Sequence, residues 1–507
     1  MKKTMTLFVL AALLFSSCNK KTEEQVVDNP FMQEWDTPYG VPPFDKIKTE
    51  HYIPAFEEGM KQQVAEIENI VKNEEAPTFE NTIVALERSG ALLTSVEMVF
   101  FNLAECMNSP EMEAIAEEIS PKLSKHGDDI MLNPELFARV KAVYDQRETL
   151  GLEPEQLRLL EETYKGFERG GANVAADKQA RFREINEKLS LLTLKFGNNV
   201  LKATNDYKLV VEDVAKLEGM PEGQLAAALE AGNADPATAG KYVFTVHVPS
   251  MEPFLMNCKN REMRQELWTA YATRCTSGET NNYDIINEIV NLRLERAQLL
   301  GFDSHSAYVL DDRIAKTPEA VNDLLGQVWV PALAKAKAEA AEYQKMIKKE
   351  GGDFKLEPWD WRYYSEQLRK EKYALDDDVI RPYFSLENVR NGIFLCCDSL
   401  YGIQFRENKE LPTYQKDVVA YEVLENGEVI AILYMDFFPR ESKRSGAWMT
   451  DFRGASIENG EEERPFVSLV TNFTKPTENM PSLLTFDEVT TILHEFGHAL
   501  HGMLAEG

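Results

Sequence analysis

Thr485-Phe-Asp-Glu-Val-Thr-Thr-Ile-Leu-His-Glu-Phe-Gly-His-Ala-Leu500 opens with a helix start signal and then places apolar residues at helical spacing. Thr485 and Glu488 form a capping box, in which each side chain satisfies the other's backbone donor. Val489, Ile492, Leu493, Phe496 and Leu500 supply the packing face. His494 and His498 are four residues apart, offset by about 40° and one turn of roughly 5.4 Å, so both imidazoles can address one ion. Glu495 stands about 100° away and reaches a water on that ion rather than the ion itself. The spacing suits hydrolysis with one zinc ion as cofactor: the ion acidifies a water and polarises a scissile carbonyl, while Glu495 accepts the proton.

Chance does not account for the pattern. With 7 His and at most 84 acidic residues in 507, about 0.02 such motifs are expected at random. Gly497 is a poor helix former by roughly 1 kcal/mol, which suggests close approach of backbone or ligand at that point. His51, His126, His247 and His305 lack a partner at ligand spacing and read as packing histidines. His501 shares the face of the motif pair, but it lies seven residues from His494, about 10.5 Å along the axis, too far to join both rings on one ion. A carboxylate from another helix is the remaining option for a third ligand, giving the His, His, Glu set of catalytic zinc sites.

Working outward, the chain has 507 residues, 44% hydrophobic and 27% charged, and it suggests two or more domains. A net charge of -29 without a local basic face argues against a nucleic-acid partner. Lys2 and Lys3 precede the apolar run Met5 to Phe15, which ends in Ser16-Ser17-Cys18. This reads as a signal peptide over 1–17, too short to span a bilayer. The small residues before Cys18 resemble a bacterial lipoprotein cleavage site, so residues 18–42 read as a lipidated tether and Cys18 as a membrane anchor facing the periplasm. The other cysteines, Cys106, Cys258, Cys275, Cys396 and Cys397, have no metal-ligand spacing, and the adjacent pair reads as buried thiols in a helix.

Between Pro54 and Asp206 apolar residues recur at helical spacing. Thr78 is a candidate cap for a helix carrying Ile83, Val84 and Leu86 and ending near Gly90. The longest run, about 174–201, aligns Phe182, Ile185, Leu189, Leu192 and Phe196 as a core stripe. Residues 231–240 read as a linker, so an N-terminal helical domain is expected over 43–240 and a catalytic domain over 241–507. In the latter, Tyr242 to Val248 is strand-like, helices are expected over 261–300 and 318–349, and β-rich runs at 418–424 and 429–437 flank the hairpin signal Asn426-Gly427. With Phe466 to Asn472 they predict a small sheet beside the motif helix.

Leu493-His-Glu-Phe-Gly-His-Ala-Leu-His-Gly502 resembles the signature of the thimet oligopeptidase family of metallopeptidases. Phe44 to Phe56, Pro77 to Thr82, Leu267 to Tyr271, Trp359 to Glu366 and Met435 to Arg440 resemble further blocks of that family, most of all its bacterial peptidyl-dipeptidases. The resemblance implies a mainly α fold, a two-part helical ellipsoid around a deep channel that admits short peptides. It implies His494 and His498 as zinc ligands, Glu495 as general base, and a glutamate on a following helix as third ligand. Nine residues follow His498, and Glu506 does not match that glutamate, so two ligands and a base are expected here and activity is expected of a chain that continues. The expectation is a monomeric, membrane-tethered zinc peptidase releasing C-terminal dipeptides. An internally cleaving oligopeptidase and a non-catalytic peptide-binding lipoprotein are the alternatives.

Overall fold

Capped, amphipathic segments become helices throughout the first half of the chain in this computed structural model, which describes residues 29–374, 377–458, 461–477 and 480–505. The signal segment, Cys18 and Glu506 lie outside the described residues. Helix Thr49–Val71 packs on Ala91–Cys106 and Pro110–Met131, and the last of these packs along Ala176–Asp206. Thr78 caps as its sequence suggests, its hydroxyl accepting from the Asn81 amide, and the turn that follows is a π-helical stretch, Phe79–Val84. Phe182, Ile185 and Leu189 are buried, whereas Phe196 at the far end of the same stripe is exposed. Packed structure begins inside the stretch read as tether: Phe31 and Val41 are buried, and Asn29 donates to the carbonyl of His51.

A mixed five-stranded sheet forms the centre of the second half. Its strands are β1 (Ile403–Glu407), β2 (Val419–Glu425), β3 (Glu428–Asp436), β4 (Trp448–Arg453) and β5 (Phe466–Val470), arranged β1-β2-β3-β5-β4. Asn426 and Gly427 both have positive φ, 51° and 90°, the geometry of the tight β2–β3 turn that this dipeptide favours. β5 runs parallel to β3 and antiparallel to β4, so β4 is an edge strand.

Both faces of this sheet are covered, which the period-two alternation of side chains makes possible. Ile432, Tyr434 and Phe466 point toward Tyr52, Phe56 and Phe100 of the N-terminal helices. Ala431, Leu433, Met435 and Val467 point the other way, toward helix Leu386–Tyr401 and the motif helix. The N-terminal helices and the sheet thus share one core. A buried ion cluster reinforces the join: Asp436, fully buried at the end of β3, accepts from Arg440, Lys443 and Tyr414, while Arg440 also donates to the Cys106 carbonyl.

Several expectations need correction. Ala231 to Asn233 are the last turn of helix Glu222–Asn233 rather than linker, because that helix buries Ala228 and Gly232. The strand expected at 242–248 is only Tyr242–Phe244, since Val248-Pro249 starts a helix. Cys397 is a buried helical thiol, but its neighbour Cys396 is exposed, as about 100° of rotation per residue requires on an amphipathic helix. β1 and β4 have no counterpart in the sequence reading. No helix among the described residues is long and apolar enough to cross a membrane.

Candidate metal centre

The motif helix, Phe486–Leu504, begins with the capping box its sequence predicts: the Thr485 hydroxyl accepts from the Glu488 amide at 3.1 Å and the Glu488 carboxylate accepts from the Thr485 amide at 2.8 Å. The same carboxylate accepts from the amide and hydroxyl of Thr474, tying the helix start to the loop after β5. Ile492, Phe496, Ala499 and Met503 are buried against the sheet, with Phe496 edge-on to Phe405 at 5.7 Å. Burial of the Ile492 and Phe496 side chains contributes about 1.5–3 kcal/mol each, which fixes the rotation of the helix. Leu493, expected in the packing face, is 53% exposed because the sheet lies on the opposite side.

That rotation sets the fate of the polar residues. His494 and His498 are exposed, with ring centroids 5.0 Å apart and ring planes 76° apart. Two imidazoles sharing a tetrahedral ion at Zn–N distances of about 2.0–2.1 Å have centroids about 5 Å apart, so the observed pair fits zinc as two of its ligands. Among the described residues, neither ring has a hydrogen bond that would compete. No third His, Cys, Asp or Glu among them completes a group able to hold an ion.

Glu495 is 9% exposed, and among the described residues no hydrogen bond occupies its carboxylate. It lines a cleft of about 580 Å³ together with His498 and His501 from the motif helix and Trp448, Met449 and Asp451 from the region of β4. The cleft therefore runs between the face of the motif helix that carries Glu495 and His498 and β4, an edge strand of the sheet. Within β4, Asn102 donates to the Asp451 carbonyl at 2.7 Å and accepts from the Thr450 hydroxyl, so a helix of the N-terminal half holds this wall.

Gly497 and Gly502 lie in different surroundings. A Cβ at Gly497 would meet no atom within 4 Å, so no described backbone approaches there. The close approach is at Gly502, where a Cβ would stand 2.3 Å from Met449 Cε and 3.4 Å from Val467 Cγ2. It lets the helix settle against β4 and β5. The β4 wall escaped the sequence reading because Trp448-Met-Thr-Asp-Phe-Arg453 is short and mostly half-buried, without clean alternation.

Three of the remaining histidines have hydrogen-bond partners within the fold, and His305 lies beside the Tyr308 ring with its Nδ1 buried and unbonded among the described residues. His51 accepts from the Lys48 amide through Nδ1, His126 bonds the Gln63 side chain, and His247 bonds Thr245.

The model of peptidase family M3 matches residues 254–507. The chain is 40% identical over 480 residues to a dipeptidyl carboxypeptidase of Escherichia coli K12, which covers 94% of this chain and 70% of that relative. A dipeptidyl carboxypeptidase of Salmonella typhimurium is 38% identical with the same coverage. An oligopeptidase A of Escherichia coli K12 is 34% identical, covering 92% of this chain and 70% of the relative.

Proposed function

The chain belongs to peptidase family M3 and is a metallopeptidase; from that footing we propose that it releases dipeptides from the C-termini of short peptides, with Glu495 as general base. The observation that carries the mechanism is the division of the motif helix, with His494 and His498 exposed as a pair and Glu495 turned into the cleft beside β4. Higher identity to the dipeptidyl carboxypeptidases than to oligopeptidase A supports dipeptide release over internal cleavage.

His494 and His498 would hold zinc, with a carboxylate from outside the described residues as third ligand. Bound there, zinc supplies a Lewis acid that lowers the pKa of water and polarises the scissile carbonyl. The chain's own groups do the rest. Glu495, whose carboxylate has no hydrogen bond among the described residues, can accept a proton and pass it to the leaving amine. β4, as an edge strand, offers backbone donors and acceptors to an extended peptide laid along the cleft. The helix and sheet share a core, so base and strand edge keep a fixed separation while substrate is bound.

Glu495→Gln keeps the shape of the site and removes the base. The expected result is unchanged zinc stoichiometry with turnover lower by about 10² to 10⁴; undiminished hydrolysis overturns the assignment. Peptides amidated at the C-terminus test the cleavage mode. Efficient cleavage of them rejects dipeptide release and favours the internal cleavage that similarity to oligopeptidase A suggests.

Export as a lipoprotein is a further part of this reading, carried by Lys2, Lys3, the run to Phe15 and Ser16-Ser17-Cys18. Fatty-acid labelling that persists in Cys18→Ala rules it out.

A further inference from the structure

A second cavity, of about 440 Å³, lies among helices Pro110–Met131, Pro154–Gly170, Ala176–Asp206 and Tyr283–Leu299, and it shares no lining residue with the cleft at the motif helix. Its wall carries both signs of charge. Asp128, 6% exposed, accepts from Asn186 Nδ2 at 2.8 Å through Oδ1, while its Oδ2 is buried and has no hydrogen-bond partner. Burial pushes this carboxyl up to about 6, against the pull of Asn186 and Arg183, which leaves it ionised at neutral pH. Arg296 reaches Asn186 Oδ1 with Nη1, but its Nε is buried without a partner. Arg293 also lines the cavity, and among the described residues it has no hydrogen bond or ion pair. Arg169, by contrast, is occupied by the Tyr308 carbonyl and Asp311.

Two other buried carboxylates have their cations in place: Asp360 has Arg261 and Arg264, and Asp436 has Arg440 and Lys443. At Asp128 the Arg296 guanidinium is held one residue away, across Asn186. A buried carboxylate without a cation, beside two arginines that line the same cavity, is costly unless a ligand completes it.

We propose that this cavity binds a small zwitterion, a free dipeptide, with its ammonium on the Asp128 carboxylate and its carboxylate on the guanidinium groups of Arg293 and Arg296. Size agrees: the volume corresponds to a sphere about 9 Å across, and two extended residues span about 7 Å. A simple anion would leave Asp128 open, and a simple cation would leave the arginines open. The choice of a dipeptide among zwitterions rests on the peptidase reading above, since dipeptides are the products it assigns.

Isothermal titration of the full chain with alanyl-alanine tests the proposal. The expected result is saturable binding, weakened about tenfold or more by N-acetylation, by C-amidation, by Asp128→Asn and by Arg293→Gln, because each removes one charge-assisted contact. His498→Ala, in the other cleft, should bind alanyl-alanine as the parent does. Asp128→Asn is isosteric and relieves a buried charge, and Arg293 is only half-buried, so both variants can fold. No binding at millimolar ligand overturns the proposal, as does parental affinity in Asp128→Asn, equal binding of the acetylated peptide, or loss of binding in His498→Ala. A protein that binds alanyl-alanine in this way but cuts peptides internally and releases no dipeptide refutes the dipeptide-release reading and leaves the zwitterion site standing.

Discussion

Asp436→Asn is the most informative perturbation of the fold that carries the cleft. The Asp436 carboxylate is fully buried and accepts from Arg440 Nη1 at 2.9 Å, Arg440 Nη2 at 2.6 Å, Lys443 Nζ at 2.8 Å and the Tyr414 hydroxyl at 3.0 Å. Burial alone would raise its pKa, but the hydrogen bonds from Arg440 and the charges of Lys443 and Arg440 outweigh that and hold it below the usual carboxylate range. Asparagine keeps the volume and removes the charge, stranding an Arg and a fully buried Lys next to each other. Removing one partner from a buried pair costs about 3–5 kcal/mol. The loss falls at the joint between β3, the 437–447 segment leading into β4, and the Cys106 carbonyl of the N-terminal helices. Urea unfolding followed by tryptophan fluorescence is the assay, with Trp448 at the start of β4 as a local reporter. Lys443→Met in the same background removes the more deeply buried stranded cation and should recover part of the loss, giving a non-additive cycle. A single-variant loss below about 1 kcal/mol, or strict additivity, would refute the view that this charge cluster holds the two halves together.

Two further outcomes follow from the geometry. Gly497→Ala should stabilise the protein by about 0.5–1 kcal/mol, because helix propensity improves and the new methyl meets nothing; a lower midpoint in the same urea titration would show that something does approach there. Asp128→Asn should raise the melting temperature near pH 7 and flatten its pH dependence. The folded-state pKa of Asp128, about 6, lies above the unfolded value of about 3.9, so the folded chain binds more protons in that window and its stability falls as pH rises through it. Arg183 and Arg296 oppose this shift and Asp129 adds to it. Melting scans of parent and variant from pH 3.5 to 7.5 whose difference does not change with pH would contradict the assignment.

Much of the site was legible in sequence because a helix is a local structure. The cap at Thr485, the buried faces of Ile492 and Phe496, and the adjacency of His494 and His498 depend on residues within a few turns of each other, and 3.6-residue geometry determines them. The Asn426-Gly427 hairpin was readable for the same reason, since only a few residue types tolerate positive φ at both turn positions.

Other features depend on partners far along the chain. That β3 and β5 are buried on both faces, that β4 forms the cleft edge, and that Gly502 rather than Gly497 is the point of close approach follow from packing the N-terminal helices on one side of the sheet and the motif helix on the other. Asp128, Asn186 and Arg296 likewise meet across separations of 58 and 110 residues. Sequence by itself determined the motif helix, its cap and the adjacency of His494 and His498 through short-range periodicity; tertiary structure decided which of its faces meets solvent, which strand walls the cleft, and where a buried charge is left without its counterion, because those depend on long-range burial.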